Sequence, residues 1–445
     1  MKLFIYNTMT KKKEIFKPIE NGKVSLYTCG PTVYDFSHIG NFRTFIFEDL
    51  LKRWLLHLGY DVKHVMNITD VDDKTIKKSM ELKLDLEKIT EKYISEFMSD
   101  ISWLDLHPAD YFPKATDHIP DMISMIDKLI KNKMAYVGDD ASVYFDISSF
   151  KDYGKLANIK LTNNQKTNLK GLQDEYHSNS PQDFALWKAR KMNDGNVFWD
   201  SPWGQGRPGW HIECSAMSTK ILGKHFDIHC GGVDNIFPHH ENELAQSVGS
   251  NGKNFVNYWV HSAHLMVDGE KMSKSKKNFF TLKDLKEKGF TSQSIRYQLL
   301  SGHYRTKISF SLKKKHESDK IINRITDFYL LLKKMRANEM FGNELPEAYK
   351  EFKECLNNDL DTPGAIAIFL GWMKKTRKKF HSKNNERPNV RAAWNFTCVF
   401  DSIFKFVKQD SFEIDFEIKA LLKKRDKARK NKDWQFVNHI LSWQE

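Results

Sequence analysis

The sequence predicts an α/β fold, in which a Rossmann-like parallel-sheet domain carries an inserted connective region and is followed by a C-terminal helical bundle. Three observations support this prediction. An early segment runs strand, loop, helix and strand, which is typical of a parallel sheet. A polar, turn-rich stretch then interrupts the apolar pattern. From about residue 312 onward glycine is scarce and helical spacing dominates.

The first elements form a βαβ unit. Val24–Cys29 is an apolar strand ended by turn residues. Apolar residues recur at helical spacing over Phe42–Leu55, and Gly59 marks the end of that helix. Val62–Ile68 then follows as a second strand. Since parallel strands need a crossover of this kind, the order of these elements predicts a parallel sheet.

The same patterns divide the chain into four regions. Residues 1–75 and 181–265 are expected to form the two halves of the Rossmann-like domain, with the α/β pattern resuming at Phe184–Trp187. Residues 76–180 form the inserted connective region. Residues 266–311 contain a loop and a further contact region, and residues 312–445 form the helical region.

Composition and charge favour a cytoplasmic protein. Of 445 residues, 40% are hydrophobic and 29% are charged. No apolar run is long enough to span a membrane and the N-terminus lacks a signal-peptide pattern, so no membrane contact is expected. The net charge of +13 fits a polyanionic partner, but composition alone favours the alternative that the proteome is rich in lysine. Five widely spaced cysteines argue against a disulfide framework and leave metal binding or burial open.

Two short segments have the features of phosphate-binding sites. His38–Asn41 begins the first helix beyond the carboxyl end of a strand, where ligand crevices lie in parallel sheets. Helix N-termini attract phosphate, and Gly40 allows close approach to the backbone. Lys271–Ser275 follows a turn and places two lysines where they can close over a triphosphate. Each segment alone also fits a capped surface helix or a solvated lysine-rich loop, whereas the pair in this order is more specific.

The pair resembles the two signatures of class I aminoacyl-tRNA synthetases. Lys271–Ser275 matches the second signature throughout, while the first usually ends in His, which Asn41 replaces. The resemblance implies that the chain activates an amino acid with ATP and magnesium. It assigns catalysis to His38, Asn41, Lys271 and Lys274, and ATP contacts to His38, Gly40, Asn41, Lys271, Met272, Ser273, Lys274 and Ser275. Because Asn can still donate to phosphate, we expect Asn41 to adjust ATP binding without loss of activity.

Three further stretches contain cysteine, histidine and glutamate: Tyr27–Asp35, Gly209–Met217 and Phe237–Glu243. Within the third, His239 and Glu243 are four residues apart and should share one face of a helix. His240 and Glu241 are expected to point elsewhere.

Two of the cysteines complete a candidate metal site. Cys29 ends the first strand near the crevice, and Cys214 lies in an apolar stretch. Two sulfurs, one nitrogen and one carboxylate oxygen suit zinc. Two buried cysteines beside a polar helix face are the alternative that the spacing leaves open.

These stretches resemble the cysteinyl-tRNA synthetase family, closely over residues 1 to about 312 and more loosely beyond. The resemblance implies one zinc ion per chain, held by Cys29, Cys214, His239 and Glu243. It assigns contacts with cysteine or the adenylate to Thr32, Thr69, Trp210, His229 and Asp234, and it leaves Cys230 as a bystander. A metal deprotonates a coordinating thiol, so zinc would bind the substrate thiolate and exclude serine. The shape of the site alone would favour cysteine over serine by only about 10–200-fold. A core or loop role is the alternative for each substrate residue.

The helical region resembles the part of the family that binds tRNA. It contains a run of lysine and arginine, and Arg429 and Trp434 match positions near the anticodon. Trp434 could stack on an exposed base. The chain ends shortly after Trp434, and its tail resembles the family only loosely. Either anticodon reading is weakened or this chain is shortened, and adenylate formation should not depend on this tail.

These features predict a monomeric two-step ligase that acts on cysteine, ATP and tRNA(Cys). One alternative is a related ligase that passes activated cysteine to a small amine, against which the helical region argues. Another is a non-catalytic, zinc-bearing RNA-binding protein, against which the intact signatures argue.

Overall fold

A computed structural model describes residues 2–159, 183–252, 254–272, 278–335, 343–380 and 388–408. The chain divides into two compact units. The first combines Met1–Phe290, Gly302–Ser311 and Asn357–Leu360, and the second combines Thr291–Ser301, Leu312–Leu356 and the residues from Asp361 onward. Residues of the predicted 266–311 region are therefore found in both units.

The elements are numbered in chain order. The first unit contains β1 (Phe4–Asn7), β2 (Lys12–Ile15), β3 (Lys23–Thr28), α1 (Ile39–His57), β4 (Asp61–Met66), α2 (Asp73–Leu82), α3 (Leu86–Trp103), α4 (Ile119–Lys131), β5 (Ala135–Val137), β6 (Val143–Phe145), β7 (Phe184–Ala189), β8 (Gly206–Pro208), α5 (Trp210–Leu222), β9 (Phe226–Gly232), α6 (Glu241–Asn251), β10 (Val256–Ser262), β11 (Leu265–Val267), β12 (Glu270–Lys271), α7 (Leu282–Glu287) and β13 (Ile308–Phe310). The second contains α8 (Ser292–Leu300), α9 (Lys315–Met335), α10 (Ala348–Asn357), α11 (Thr362–Phe380) and α12 (Val390–Phe404).

A four-stranded parallel sheet in the first unit confirms the predicted α/β fold. Its strand order is β10-β9-β3-β4, and every neighbouring pair is parallel. The carboxyl halves of β3 and β4 are buried. Because parallel strands point the same way, residues that follow β3 and β9 emerge at one edge of the sheet, where a ligand crevice is expected.

Helix α1 joins β3 to β4 and completes the predicted βαβ unit. Its apolar residues recur at helical spacing and are fully buried, as Phe42, Ile46, Leu50 and Trp54 show. The helix ends at His57, close to Gly59, whose φ of +89° lies in the left-handed region that favours glycine. The packed face of α1 fixes its N-terminus beyond the carboxyl end of β3.

The inserted region contributes most of α2, all of α3 and α4, and strands β5 and β6. These two strands form an antiparallel sheet of order β5-β6-β7-β8 with two strands from beyond the insertion. The sequence predicts that the parallel sheet resumes at Phe184–Trp187, and this is wrong. These residues belong to β7, which pairs with β6 and β8. An apolar run indicates a buried strand but does not identify its partners. Phe184 and Trp187 instead pack into a core with residues of α4 and α5.

The second unit is helical over the residues described, as predicted. Its core is rich in aromatic rings from α10, α11 and α12. The rings of Phe369 and Phe400 stack with centroids 3.7 Å apart, and Phe352 and Phe396 pack beside them. None of the helices described is long and apolar enough to cross a bilayer. Arg429 and Trp434 lie outside the described residues.

Candidate active site and metal centre

The N-terminus of α1 contains the first predicted phosphate segment. His38 is its N-cap residue, and Nδ1 accepts hydrogen bonds from the backbone N–H groups of Gly40 at 3.1 Å and Asn41 at 3.3 Å. Asn41 Oδ1 accepts from the backbone N–H of His38 at 3.0 Å, which completes a capping box. Because Nδ1 is an acceptor, these hydrogen bonds assign the proton of the neutral ring to Nε2. His38 therefore presents an N–H donor at Nε2.

The second predicted segment lies against the first. Met272 is so close to Gly40 that a Cβ atom on Gly40 would collide with Met272 Cε. The backbone N–H of Ile39 donates to the carbonyl of Phe280 at 2.8 Å. Two segments that are far apart in sequence therefore meet at the start of α1. Lys271 belongs to β12, whereas Ser273, Lys274 and Ser275 lie outside the described residues.

Substitution can test whether Asn41, which caps α1, also contacts phosphate as predicted. Asn41→Ala removes both the cap acceptor and the amide donor, so we expect the free energy of unfolding to fall by about 0.5–1.5 kcal/mol and KM for ATP to rise. Asn41→Asp keeps the acceptor but turns a negative charge toward phosphate. We expect a free energy of unfolding close to that of the parent and a KM for ATP raised roughly tenfold or more. Urea unfolding and initial rates at varied ATP measure both quantities. A parental KM in Asn41→Asp would contradict the phosphate contact.

The four predicted zinc ligands come together at the carboxyl edge of the parallel sheet. Cys29 follows β3, Cys214 lies in α5, His239 lies in a wide turn over Ile236–His240, and Glu243 lies in the first turn of α6. One ligand atom from each of them lies within 4.8 Å of the others. Tetrahedral zinc with bonds of about 2.0–2.3 Å needs ligand atoms roughly 3.3–3.8 Å apart, so the group fits after small adjustments.

Glu243 gives the clearest indication that a cation fits this site. Its side chain is fully buried, and Oε1 has no hydrogen-bond partner among the described residues. This oxygen lies 3.0 Å from Nε2 of His239, which itself lies 3.5 Å from Sγ of Cys214. A buried carboxylate oxygen that accepts no well-formed hydrogen bond is costly unless a positive charge, such as a protonated His239 or a metal ion, lies beside it. The convergence of these three atoms on one point provides a place for that charge.

The charges of the cluster also suit a cation. A hydrogen bond between the two thiols lowers the pKa of Cys214 to about 6 and raises that of Cys29. Burial alone would raise the pKa of Glu243, yet His229 and His239 lower it to about 2. Burial also disfavours a charged His239 ring, but Glu243 and Cys214 raise its pKa to about 10. The cluster thus concentrates negative charge on sulfur and carboxylate, which a proton on His239 or a metal ion can balance.

His240 does not point away from the cluster, so that expectation is wrong. Its Nε2 lies 3.2 Å from Cys29 Sγ and 3.9 Å from Glu243 Oε1. The prediction assumed ideal helical angles, whereas the turn over Ile236–His240 contains an extended residue and brings both histidines toward the cluster. Cys29, His229, His240 and Glu243 consequently form a second group whose ligand atoms lie within 4.8 Å.

Three of the predicted substrate residues adjoin this edge of the sheet. Thr32 and Thr69 form an isolated parallel bridge, in which the backbone N–H of Val33 donates to the carbonyl of Thr69 at 3.1 Å. Trp210 begins α5, and its ring stacks on His239 with centroids 4.3 Å apart. It remains 37% exposed, so it can provide an apolar wall beside the metal ligands.

His229 and Asp234 have very different surroundings. His229 is fully buried in β9, its Nε2 lies 2.9 Å from Glu243 Oε2, and its ring stacks on Trp259. It is therefore placed to orient a metal ligand. The Asp234 side chain is 73% exposed, and its Oδ1 lies 3.7 Å from Nδ1 of His264. The structure brings His229 to the cluster and leaves Asp234 at the surface.

Sequence reasoning missed two histidines that support the cluster. His211 Nδ1 lies 2.8 Å from His239 Nδ1, and His261 Nε2 lies 2.8 Å from His240 Nδ1. His211 is part of the Gly209–Met217 stretch and could have been found there, whereas the residues around His261 carry no signal. Glu241 does point elsewhere, because its carboxylate accepts hydrogen bonds from backbone N–H groups near residue 155.

Comparisons with known proteins identify the family and the fold of the chain. The family model described as tRNA synthetases class I (C) catalytic domain matches residues 15–320. The chain is 45% identical to a cysteine–tRNA ligase of Brachyspira hyodysenteriae, over 98% of this chain and 94% of the relative. It is also 45% identical to one of Chlamydia muridarum, over 99% and 95%. Mycobacterium tuberculosis methionyl-tRNA synthetase in complex with methionyl-adenylate has a similar fold, with a TM-score of 0.63 and 14% identity over 86% of this chain and 92% of that chain.

Proposed function

The chain belongs to the cysteine–tRNA ligase family of class I tRNA synthetases, and we propose on that basis that it activates cysteine with ATP and transfers it to the 3′ end of tRNA(Cys). The observation that supports this most directly is that one unit contains both the capped helix start that bears the first predicted phosphate segment and a buried Cys/His/Glu cluster that could hold a metal ion. The first suits ATP and the second suits a thiol substrate.

The reaction has two steps. A carboxylate oxygen of cysteine attacks the α-phosphorus of ATP, the bond to the bridging oxygen breaks, and pyrophosphate leaves. The terminal ribose hydroxyl of tRNA then attacks the carbonyl carbon, AMP leaves, and the hydroxyl proton passes to the leaving phosphate or to water. Both steps require positioning and charge stabilisation, with no covalent protein intermediate.

The start of α1 and the second phosphate segment would bind ATP with magnesium. The backbone N–H groups of residues 39–41 are already hydrogen-bonded, so the helix N-terminus would attract phosphate through its partial positive charge, with His38 Nε2–H as the proposed donor. Met272 lies against Gly40, which supports a role for the second segment at this helix start. We propose that Lys271 and Lys274 stabilise the charge that develops on the phosphates. The proposed ATP contacts are His38, Gly40, Asn41, Lys271, Met272, Ser273, Lys274 and Ser275.

The Cys/His/Glu cluster would hold one zinc ion, which when bound supplies a bond to the sulfur of the substrate and so excludes serine. The group with two cysteines is favoured over the second group, because thiolates suit zinc better than further imidazoles in a site that selects sulfur. His211 fixes Nδ1 of His239 and leaves Nε2 directed at the cluster. His229 similarly holds one oxygen of Glu243 and leaves Oε1 for the metal.

The remaining assignments concern the substrate and tRNA. We propose that Thr32, Thr69, Trp210 and Asp234 contact cysteine or the adenylate. The helical region would bind tRNA phosphates, for which the last turn of α11, with Arg377, Lys378 and Lys379, is suitably basic. Arg429 and Trp434 are proposed to act near the anticodon.

Cysteine-dependent exchange of label between pyrophosphate and ATP tests the first step. We expect exchange with cysteine, and a preference over serine that exceeds the roughly 200-fold available from shape alone. No exchange would contradict catalysis and favour a zinc-bearing RNA-binding protein. Charging of tRNA(Cys) with labelled cysteine tests the second step. Exchange without charging, but with transfer to a small amine, would favour the related ligase.

A further inference from the structure

A line of hydrogen bonds leads from the metal cluster to the end of the first strand. Cys29 Sγ lies 3.2 Å from His240 Nε2, and His240 Nδ1 lies 2.8 Å from His261 Nε2. His261 Nδ1 in turn lies 2.7 Å from Thr8 Oγ1. Each contact joins one atom of a residue to the next, so the four side chains form a single unbranched chain.

The chemistry of Cys29 determines the direction of these hydrogen bonds. A cysteine that binds zinc is a thiolate and can only accept. His240 must therefore donate from Nε2 and accept at Nδ1, since a neutral imidazole has one donor and one acceptor. His261 must then donate from Nε2 and accept at Nδ1. The last partner must be a donor, and a hydroxyl at residue 8 is one.

Burial favours the neutral form of the rings that this direction requires. His240 is fully buried and His261 is 4% exposed. Burial, together with the neighbouring His229, lowers the pKa of His261 to about 3. Trp259 packs beside both rings and lies parallel to His261, which restricts their rotation. Because the rings are neutral and cannot rotate freely, each ring nitrogen keeps one role, as donor or as acceptor.

Backbone contacts hold Thr8 in place. Its N–H donates to the carbonyl of Trp259 at 2.8 Å. The preceding Asn7 donates from Nδ2 to the carbonyl of Asn257 at 2.8 Å and accepts from Trp259 N–H at 3.1 Å. The segment after β1 is thus fixed to β10, the strand that contains His261. The position of the hydroxyl follows from the fold.

We propose that Thr8 is a positioning residue for the metal centre, which acts through His261 and His240 to provide Cys29 with a hydrogen bond. This inference rests on the proposed zinc site and makes His240 a support for the metal ligands. A donated hydrogen bond stabilises the thiolate in a buried site and orients its lone pairs toward the metal. Loss of outer-shell partners of this kind typically costs about 10–100-fold in metal affinity.

Zinc affinity of the full chain, measured by competition with a chromogenic chelator, tests this role. We expect Thr8→Val, which has a similar shape without the hydroxyl, to weaken zinc binding about tenfold. Thr8→Ser restores the hydroxyl and should bind zinc within about twofold of the parent. Thr44→Val is a matched control. The hydroxyl of Thr44 hydrogen-bonds to that of Ser262, which is next to His261 in sequence but does not belong to the line of hydrogen bonds that ends at Cys29. The thiolate-to-metal absorption of the cobalt(II) form should shift in Thr8→Val and remain unchanged in both Thr8→Ser and Thr44→Val.

A second variant distinguishes an effect transmitted through the hydrogen bonds from a general effect on packing. His261→Phe keeps an aromatic ring beside Trp259 and removes both nitrogens, and it should also weaken zinc binding. In that background Thr8→Val should have no further effect, because the link is already broken. Additive losses would overturn the proposal, as would parental affinity in Thr8→Val or failure of Thr8→Ser to restore it. If the parent itself bound neither zinc nor cobalt, the proposed zinc site would fail. If the parent bound zinc and Thr8→Val bound it equally well, only the role of Thr8 would fail.

Discussion

Cys214→Ser and His239→Ala are each expected to abolish zinc binding and to raise KM for cysteine by about 100-fold or more. The site is buried and its ligand atoms converge on one point, so removal of one leaves an incomplete set. Even outer-shell changes cost about 10–100-fold in metal affinity, and loss of a ligand should cost more. KM for ATP should change little, because neither residue is among the proposed ATP contacts. Metal analysis of the purified variants and pyrophosphate exchange at varied cysteine measure these effects.

Two controls identify which of the two ligand groups binds the metal. Cys230→Ala removes a buried cysteine that belongs to neither group, so it should retain zinc. His240→Gln removes a potential ligand of the second group but keeps an N–H donor near Cys29. Retention of zinc in His240→Gln, with loss in Cys214→Ser and His239→Ala, would support the first group. Full zinc content in both Cys214→Ser and His239→Ala would contradict the site assignment.

The fold could be predicted from the sequence where local patterns determine it. The spacing of apolar residues in α1 and the short strands beside it sufficed for the βαβ unit, because a helix between two buried strands has few alternatives. The same reasoning failed at β7. Burial of Phe184–Trp187 was evident, but hydrogen-bond partners depend on strands distant in the chain, and these form an antiparallel sheet.

The site shows the same limit at the level of side chains. Residue types made Cys29 and Cys214 candidate ligands, and only the resemblance to the family favoured zinc over plain burial of the two cysteines. The orientation of His240 could not be predicted, because it depends on a turn that departs from helical geometry. Thr8 and His261 have no distinctive sequence context. Their relation to the cluster exists only because the segment after β1 is fixed to β10.

His38→Ala is expected to slow cysteine activation by about 100–1,000-fold and to lower the free energy of unfolding by about 1 kcal/mol. The first effect follows from loss of the Nε2–H donor, which we propose to contact phosphate oxygens as they gain charge. The second follows from loss of Nδ1, which accepts two backbone N–H groups at the start of α1. One side chain thus serves both the helix and the proposed chemistry.

Two amide substitutions can separate these functions. Asn at position 38 places an oxygen near the Nδ1 position and is a favourable N-cap, but it cannot reach the Nε2 position. His38→Asn should therefore keep the parental unfolding free energy and lose most of the activation rate. Gln places its amide donor near the Nε2 position and lacks a well-placed cap acceptor, so His38→Gln should be less stable and more active than His38→Asn. Urea unfolding and single-turnover adenylate formation measure the two quantities.

The decisive result is whether His38→Asn and His38→Gln are ranked in the same order by activity as by stability. If His38 acted only as a cap, activity would follow stability, and His38→Asn would be the more active variant. If it acts as a donor to phosphate, activity and stability are ranked in opposite orders. The hydrogen bonds at α1 favour the second outcome, because they occupy Nδ1 and direct the remaining proton to Nε2. The helix cap would then be the means by which the fold selects the tautomer that the reaction needs.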